Sequence, residues 1–193
     1  MRKLMPLPKK FILAVSGGVD SIVAAHLFRK KHLSGVIHIH HGTPKADEYT
    51  QLVKDQFPET QIFHYSGPAS ELHWRNFRER IFTQQWESTG HPICTAHHLN
   101  DAIEWWIMSS LRGAPKLMPW KTEKDGKLYK FKPLIQFEKS ELVDFARHHE
   151  LRWIEDPTNV GESNDRAKLR KIMPEILAIN PGLPKVIRKK YRS

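Results

Sequence analysis

Phe11-Ile12-Leu13-Ala14-Val15 is a short apolar run that ends in Ser16-Gly17-Gly18. From Asp20 to Lys31 the apolar residues Ile22, Val23, Leu27 and Phe28 then recur at helical spacing. A buried strand that turns on glycines into a helix constrains this chain more than any other feature. The alternation continues along the sequence. Val36–His40, Gln61–Tyr65, Pro92–Ala96 and Lys130–Leu134 read as further strands. Ala46–Phe57, Ala69–Glu87, Asp101–Leu111 and Lys139–His149 read as helices, the last with Ser140 as its N-cap. This pattern predicts an α/β fold with a doubly wound, mainly parallel five-stranded sheet. Arg112–Gly126 and Asp156–Asp165, rich in Gly, Pro, Asn or charge, read as loops. From Asp165 the chain is basic and reads as helical as far as Asn180, where Asn180-Pro181-Gly182 breaks it. The expected organisation is one domain over 1–193, with a basic helical tail from about residue 165.

Ser16-Gly17-Gly18-Val19-Asp20-Ser21 has the chemistry of an anion cradle. Glycines let the backbone approach a phosphate, and the first amides of a helix have no partner of their own. Ser16 and Ser21 add hydroxyl donors, and Asp20 can cap the helix or help hold a magnesium ion. The loop lacks the Gly-Lys-Ser/Thr ending of a Walker A motif and is not GxGxxG. Farther along, Asp101 and Glu104 stand three apart, so a helix presents both on one face. Paired carboxylates suit an ammonium or a magnesium ion, and either one can assist deprotonation of an amine.

The loop resembles the SGGxDS signature of the PP-loop ATP pyrophosphatases. That resemblance implies an adenine nucleotide α-hydrolase-like fold and ATP cleaved between its α and β phosphates. Within this superfamily the chain looks like the tRNA-isoleucine lysidine synthetases. His38-Ile39-His40-His41-Gly42 with Ala46-Asp47-Glu48 is similar to their HxxHG…ADE segment, and Glu71, Arg75 and Arg78 to their ExxxRxxR helix. His97-His98-Leu99-Asn100-Asp101-Ala102-Ile103-Glu104 resembles HHxxDQxET, followed by Leu111-Arg112-Gly113. Trp153–Asn159 resembles W-x-EDPSN, and Arg166 with Arg170 an RNxxR. Departures are Glu79 in place of an aromatic, Ala102 for Gln, Trp105-Trp106 for smaller residues, Ala167 for Asn, and no second glycine-rich stretch after Arg112-Gly113.

The resemblance implies a ligase that adenylates the wobble cytidine of an isoleucine tRNA and attaches lysine. Its expected substrates and partners are ATP, free lysine and tRNA, with Mg2+ at Asp20 and Asp101. It places ATP on Ser16, Gly17, Gly18, Asp20, Ser21 and His40, and lysine on Asp101 and Glu104. Asp20, Asp101, Glu104 and Arg112 are then the catalytic candidates, Arg112 for charge on the α-phosphate or the nucleotide backbone. Asp156 and Asn159 are candidates to close over the substrate. The chain is expected to be the catalytic domain without the C-terminal tRNA-holding domains of that family.

The net charge is +10, from 31 Lys/Arg against 21 Asp/Glu, which favours a polyanionic partner. Basic residues cluster in His73–Arg80, interleaved with aromatics, and in the tail from Lys185 to Arg192. Arg75, Arg78, Arg166, Arg170, Lys185, Arg188, Lys189 and Lys190 are therefore the candidates for tRNA phosphates. The single Cys94 excludes a disulfide framework within the chain and a Cys-rich zinc cluster, and it argues against sulfur transfer. The pairs His40/His41 and His97/His98 lack a zinc-ligand spacing, because neighbouring strand residues point to opposite faces. The longest apolar run near the start, Phe11–Val15, is too short for a signal core or a membrane span, so a cytoplasmic protein without a membrane partner is expected. Two rivals stay open on sequence: a PP-loop enzyme that adenylates another base or small molecule, and a non-catalytic nucleotide- or RNA-binding module. Homo-oligomerisation is open as well.

Overall fold

The computed structural model describes residues 4–29, 33–155 and 165–191. Asp156, Asn159 and Arg192 lie outside the described residues. The first strand, β1 (Phe11–Ala14), leads through the glycine turn into α1 (Val19–Phe28). There follow β2 (Leu33–His40), α2 (Ala46–Gln56), β3 (Gln61–His64), α3 (Glu71–Thr89), β4 (Ile93–Cys94) and α4 (Leu99–Leu111). The chain continues with β5 (Lys121–Lys124), β6 (Lys127–Phe131), α5 (Lys139–His148), α6 (Asp165–Ile179) and α7 (Leu183–Lys189).

The sheet has six strands in the order β3-β2-β1-β4-β6-β5, one more than the sequence led us to expect. All neighbouring pairs are parallel except β5 with β6. The added strand is β5, inside the stretch expected to be a loop. Asp125 (φ 52°) and Gly126 (φ 72°) turn it back onto β6 as a hairpin. Positive φ at both central residues is what a tight hairpin turn requires.

Phe11, Leu13 and Val15 pack with α1 and with Phe131, Leu134, Phe137 and Leu142 on one face of the sheet. Phe11 meets Phe28 and Phe131 edge-to-face at 5.5 and 5.2 Å, each pair adding roughly 0.5–1.5 kcal/mol beyond its buried area. The other face carries Ile12, Ile37 and Ile93 against Ile81, Phe82 and Trp86 of α3. Cys94 is fully buried in β4, and burial pushes its thiol pKa well up. A third apolar cluster joins α4 to the two last helices through Leu99, Ile103, Met173, Ile176, Leu183 and Ile187. The tail therefore docks on the body. Tyr191 Oη donates to Met118 O at 2.8 Å.

Two helix starts differ from expectation. The N-cap of α5 is Glu138, not Ser140, and the Glu138 amide donates to Glu141 Oε2 at 2.8 Å. The N-cap of α1 is Gly18, without a side-chain cap, so Asp20 is spared that role. Among the described residues no helix is long and apolar enough to cross a membrane.

Candidate active site

The winding of the sheet reverses between β1 and β4. In an open α/β sheet the crevice outside the carboxyl ends of the strands at such a reversal is where ligands sit. The starts of α1, α4 and α5 meet there around a cleft of about 370 Å³, lined among others by Asp20, His98, Asp101, Glu104, Lys139 and Arg170. That volume falls in the ~300–1,000 Å³ range of small-molecule sites.

The phosphate loop is preset by its own serines. Ser21 Oγ accepts the amides of Ser16 (3.1 Å) and Gly17 (3.2 Å) and donates to Gly18 O at 2.9 Å. The Gly18 amide donates to Ser16 Oγ at 3.4 Å. These amides thus converge on the two serine hydroxyls, which occupy the cradle that a phosphate oxygen would have to enter. Gly17 has φ +91°, and a Cβ there would lie 2.8 Å from Tyr49 Cδ1, so both backbone and neighbour demand glycine. The Ile154 amide donates to Gly17 O at 3.1 Å and ties the chain after α5 to the loop.

Asp20, the second residue of α1, turns its carboxylate to α5. Lys139 Nζ donates to both of its oxygens at 2.8 and 2.7 Å. Sequence reasoning gave Lys139 no role. A signal was present: a cation in the first turn of a helix opposes the helix dipole and calls for a local anion. The Lys139 amide is also fixed, donating to Asn100 Oδ1 at 2.9 Å. Burial disfavours the charge on Asp20, but His98 and Lys139 outweigh it and lower its pKa.

His98 Nε2 lies 3.6 Å from Asp20 Oδ2 and 3.5 Å from Asp101 Oδ2, bridging the phosphate loop and α4. Burial pushes His98 towards its neutral form, yet Asp101 and Asp20 prevail and raise its pKa. Asp101 is correspondingly held at about 2: burial alone would raise it, and His98, His97 and Arg166 bring it down. Its Oδ2 accepts the His98 amide at 2.9 Å, the backbone half of a capping box for α4.

Asp101 and Glu104 share a face, as their spacing required, and two arginines of α6 bind them. Arg166 donates from Nη2 to Asp101 Oδ1 at 2.8 Å and from Nε to Glu104 Oε2 at 2.6 Å. Arg170 Nε donates to Glu104 Oε1 at 2.7 Å. Arg166 and Arg170, expected on tRNA, thus lie at the carboxylates. The Glu104 side chain is only 7% exposed, so this is a buried ionic cluster rather than a surface pair.

The other expected residues divide. His40 Nε2 is 3.0 Å from Asp47 Oδ1, near the phosphate loop's edge of the sheet. Arg112 is not among the residues of the cleft at Asp20. It lines a second cleft with Trp105 and Lys116, eight residues beyond Glu104 and so about 12 Å along the helix axis. Arg188 is turned inward, its guanidinium on Gln136 O (3.0 Å) and Glu138 Oε1, which removes it from the exposed basic face. Lys185, Lys189 and Lys190 are exposed, as is Arg75, while Arg78 is half-buried.

Among the described residues no group of three or more His, Cys, Asp or Glu is arranged to hold a metal ion. Magnesium, however, takes one or two carboxylates beside substrate phosphates and water. Asp20, next to the loop amides and partly exposed, suits that part once Lys139, which donates to both of its oxygens, gives way to the metal. Asp101 is more enclosed, with its side chain 13% exposed against 26% for Asp20, and its oxygens receive His98 and Arg166, so it does not.

Several buried histidines set a pH dependence. Burial, then Arg78, lowers His41 to about 4. Burial likewise lowers His97 to about 4, against the pull of Asp101. For both, the unfolded chain binds protons that the folded chain refuses, so their stability contribution is complete above pH 6.5 and lost as pH falls towards 4. His98 acts in the opposite sense: its contribution is present below 6.5 and lost as pH rises through its raised pKa. The thermal midpoint is therefore expected to fall by several degrees from pH 7 to pH 5, at about 2–4 °C per kcal/mol. Calorimetry at the two pH values checks this. A midpoint that stays level or climbs would show that His41 and His97 are not held neutral.

A family model described as a PP-loop domain matches residues 3–176. The chain is 30% identical to the tRNA(Ile)-lysidine synthase of Exiguobacterium sibiricum, over 91% of this chain and 46% of that protein. It is 31% identical to the tRNA(Ile)-lysidine synthase of Haemophilus influenzae strain PittGG, over 87% of this chain and 44% of that protein. The chain thus spans less than half the length of these curated relatives. A solved U34-tRNA thiolase from Methanococcus maripaludis shares the fold with a TM-score of 0.76, at 17% identity, covering 95% of this chain and 71% of that one. An NH3-dependent NAD synthetase from Campylobacter jejuni does so at 0.51, with 14% identity, covering 95% and 84%.

Proposed function

This chain belongs to the PP-loop family, and from that premise we propose that it is a tRNA-modifying ligase that joins lysine to the wobble cytidine of an isoleucine tRNA at the expense of ATP. The cytosine 2-oxygen attacks the α-phosphorus, the bridge to the β-phosphate breaks, and pyrophosphate leaves. The unprotonated lysine amine then adds to C2. The bond from C2 to the phosphorylated oxygen breaks, AMP leaves, and the amine gives up a proton.

The observation that carries this reading is the carboxylate pair of α4, buried beside the phosphate loop and already holding cationic nitrogens: Arg166 Nε at 2.6 Å and Arg170 Nε at 2.7 Å from Glu104. The two guanidinium groups balance the two carboxylates, so a substrate ammonium takes the place of one of them. In this reading Asp101 and Glu104 bind the lysine side chain, and either carboxylate takes its proton. Arg166, 43% exposed, is the guanidinium with room to withdraw. The amides of Ser16, Gly17 and Gly18 and the Ser16 and Ser21 hydroxyls hold ATP, with His40 at the edge of the nucleotide. Magnesium would sit at Asp20 and neutralise charge on the phosphates. Lys139 is a further cation within reach of them. Arg75, Arg78, Lys185, Lys189 and Lys190 contact the tRNA backbone.

Pyrophosphate and AMP release from ATP, with tRNA and lysine added separately and together, tests the reading. Pyrophosphate is expected only when tRNA is present, and AMP only when lysine is added as well. Release that ignores tRNA but responds to some other acceptor would move the chain to a different reaction within the family.

A further inference from the structure

The two tryptophans that depart from the family pattern go opposite ways. Trp106 packs inward against the cluster of α4, α6 and α7, while Trp105 stays 41% exposed. Trp105, Met108, Ser109 and Arg112 stand at i, i+3, i+4 and i+7, one face of α4, and with Ala114 and Lys116 they line a cleft of about 220 Å³. The same helix carries Glu104 one residue before Trp105, about 100° round its axis, so the two clefts lie on neighbouring faces of α4.

The cleft wall is built. Gly113, at φ +78°, reverses the chain past the end of α4. Ser109 Oγ then accepts the Lys116 amide at 2.8 Å while its own proton goes to Trp106 O at 2.9 Å. The Ala114 amide donates to Ser109 O at 3.1 Å. Farther on, Lys132 Nζ donates to Pro119 O at 2.9 Å and the Lys132 amide to Trp120 O at 2.7 Å, anchoring the loop to β6. Arg112 and Lys116 thereby line one cleft with the exposed indole of Trp105. The negative end of the helix accounts for a cation at Arg112. It does not account for an indole left open to water in a cleft that two cations also line.

Resting on the RNA-substrate reading above, we infer that this cleft is a second RNA subsite, which stacks an unpaired base of the substrate on Trp105 and takes the adjoining phosphate on Arg112 and Lys116. Aromatic faces accept any base by stacking, and cations beside them track the backbone of a single strand. The net charge of +10 gives the surface the matching sign. An RNA whose target base is drawn into the cleft at Asp20 has unpaired neighbours on both sides, and the Trp105 face is the adjoining surface on α4.

The test measures the affinity of the full chain for a labelled anticodon stem-loop RNA across a salt series, and its affinity for ATP in parallel. Trp105→Ala is expected to weaken RNA binding about tenfold, and Trp105→Phe less than about threefold, with ATP affinity unchanged. The Arg112→Ala/Lys116→Ala double variant is expected to make the log–log salt slope shallower by roughly 0.7 for each lost contact to a single strand. If Trp105→Ala does not fold, that slope decides. RNA affinity unchanged in Trp105→Ala overturns the inference and leaves the ligase reading intact; so does an equal loss in Trp105→Ala and Trp105→Phe. Self-association that disappears with Trp105→Ala at constant RNA affinity would give the face to a protein partner instead. A wild-type chain that binds ATP but no RNA defeats the ligase reading, and the subsite with it.

Discussion

Asp20→Ala is expected to cut ATP-dependent pyrophosphate release at least a hundredfold while leaving the circular-dichroism spectrum unchanged. Removing one preset electrostatic group from a site of developing charge costs about 10²–10³ in rate. Asp20 is such a group: it holds Lys139 Nζ at 2.7 Å, faces His98 at 3.6 Å, and is the carboxylate that fits magnesium. The cost in stability is modest, roughly 1–3 kcal/mol, because the Lys139 side chain is 41% exposed and can turn to water. Pyrophosphate release at the wild-type rate would remove Asp20 from the chemistry.

Glu104→Gln is expected to raise the lysine concentration needed for half-maximal AMP release about a hundredfold, with ATP affinity within about threefold of wild type. The amide keeps the volume of the carboxylate and deletes its charge. Breaking one partner of a buried charge pair costs about 2–5 kcal/mol, or roughly 30- to 4,000-fold in affinity. Both oxygens of Glu104 accept from arginines, so the variant also loosens α6 from α4. ATP affinity separates the two effects. A parallel loss of ATP and lysine would identify Glu104 as part of the framework rather than of the amine site.

The sequence made the strand–glycine–helix unit at Phe11–Phe28 readable because an apolar run, a glycine pair and a helical apolar spacing coincide there. It did not reveal β5. Lys121-Thr122-Glu123-Lys124 has no apolar face, since it is an edge strand and charges on an edge discourage pairing with other chains. The Asp125-Gly126 pair that turns it was the available clue. At the site, Asp101 and Glu104 were legible as a pair because both lie on one helix. Their arginine partners were not, since ion pairing between helices far apart in sequence leaves no spacing to read. Arg188 was lost in a run of cations for the same reason: charge composition does not say which member faces Glu138. Arg112 was assigned to phosphate by its motif, and only the length of α4 takes it away from Asp20.

The burial of Cys94 has a practical side. It is the only thiol in the sequence, and it is wholly enclosed in β4 with its pKa pushed up. Thiolate is the reactive form, so the native protein is close to silent towards maleimides and iodoacetamides. A cysteine installed at an exposed position such as Ala114 would then be conjugated alone, without first stripping the native one. A dye or photo-crosslinker attached there would watch the floor of the Trp105 cleft on a protein whose core chemistry is unaltered.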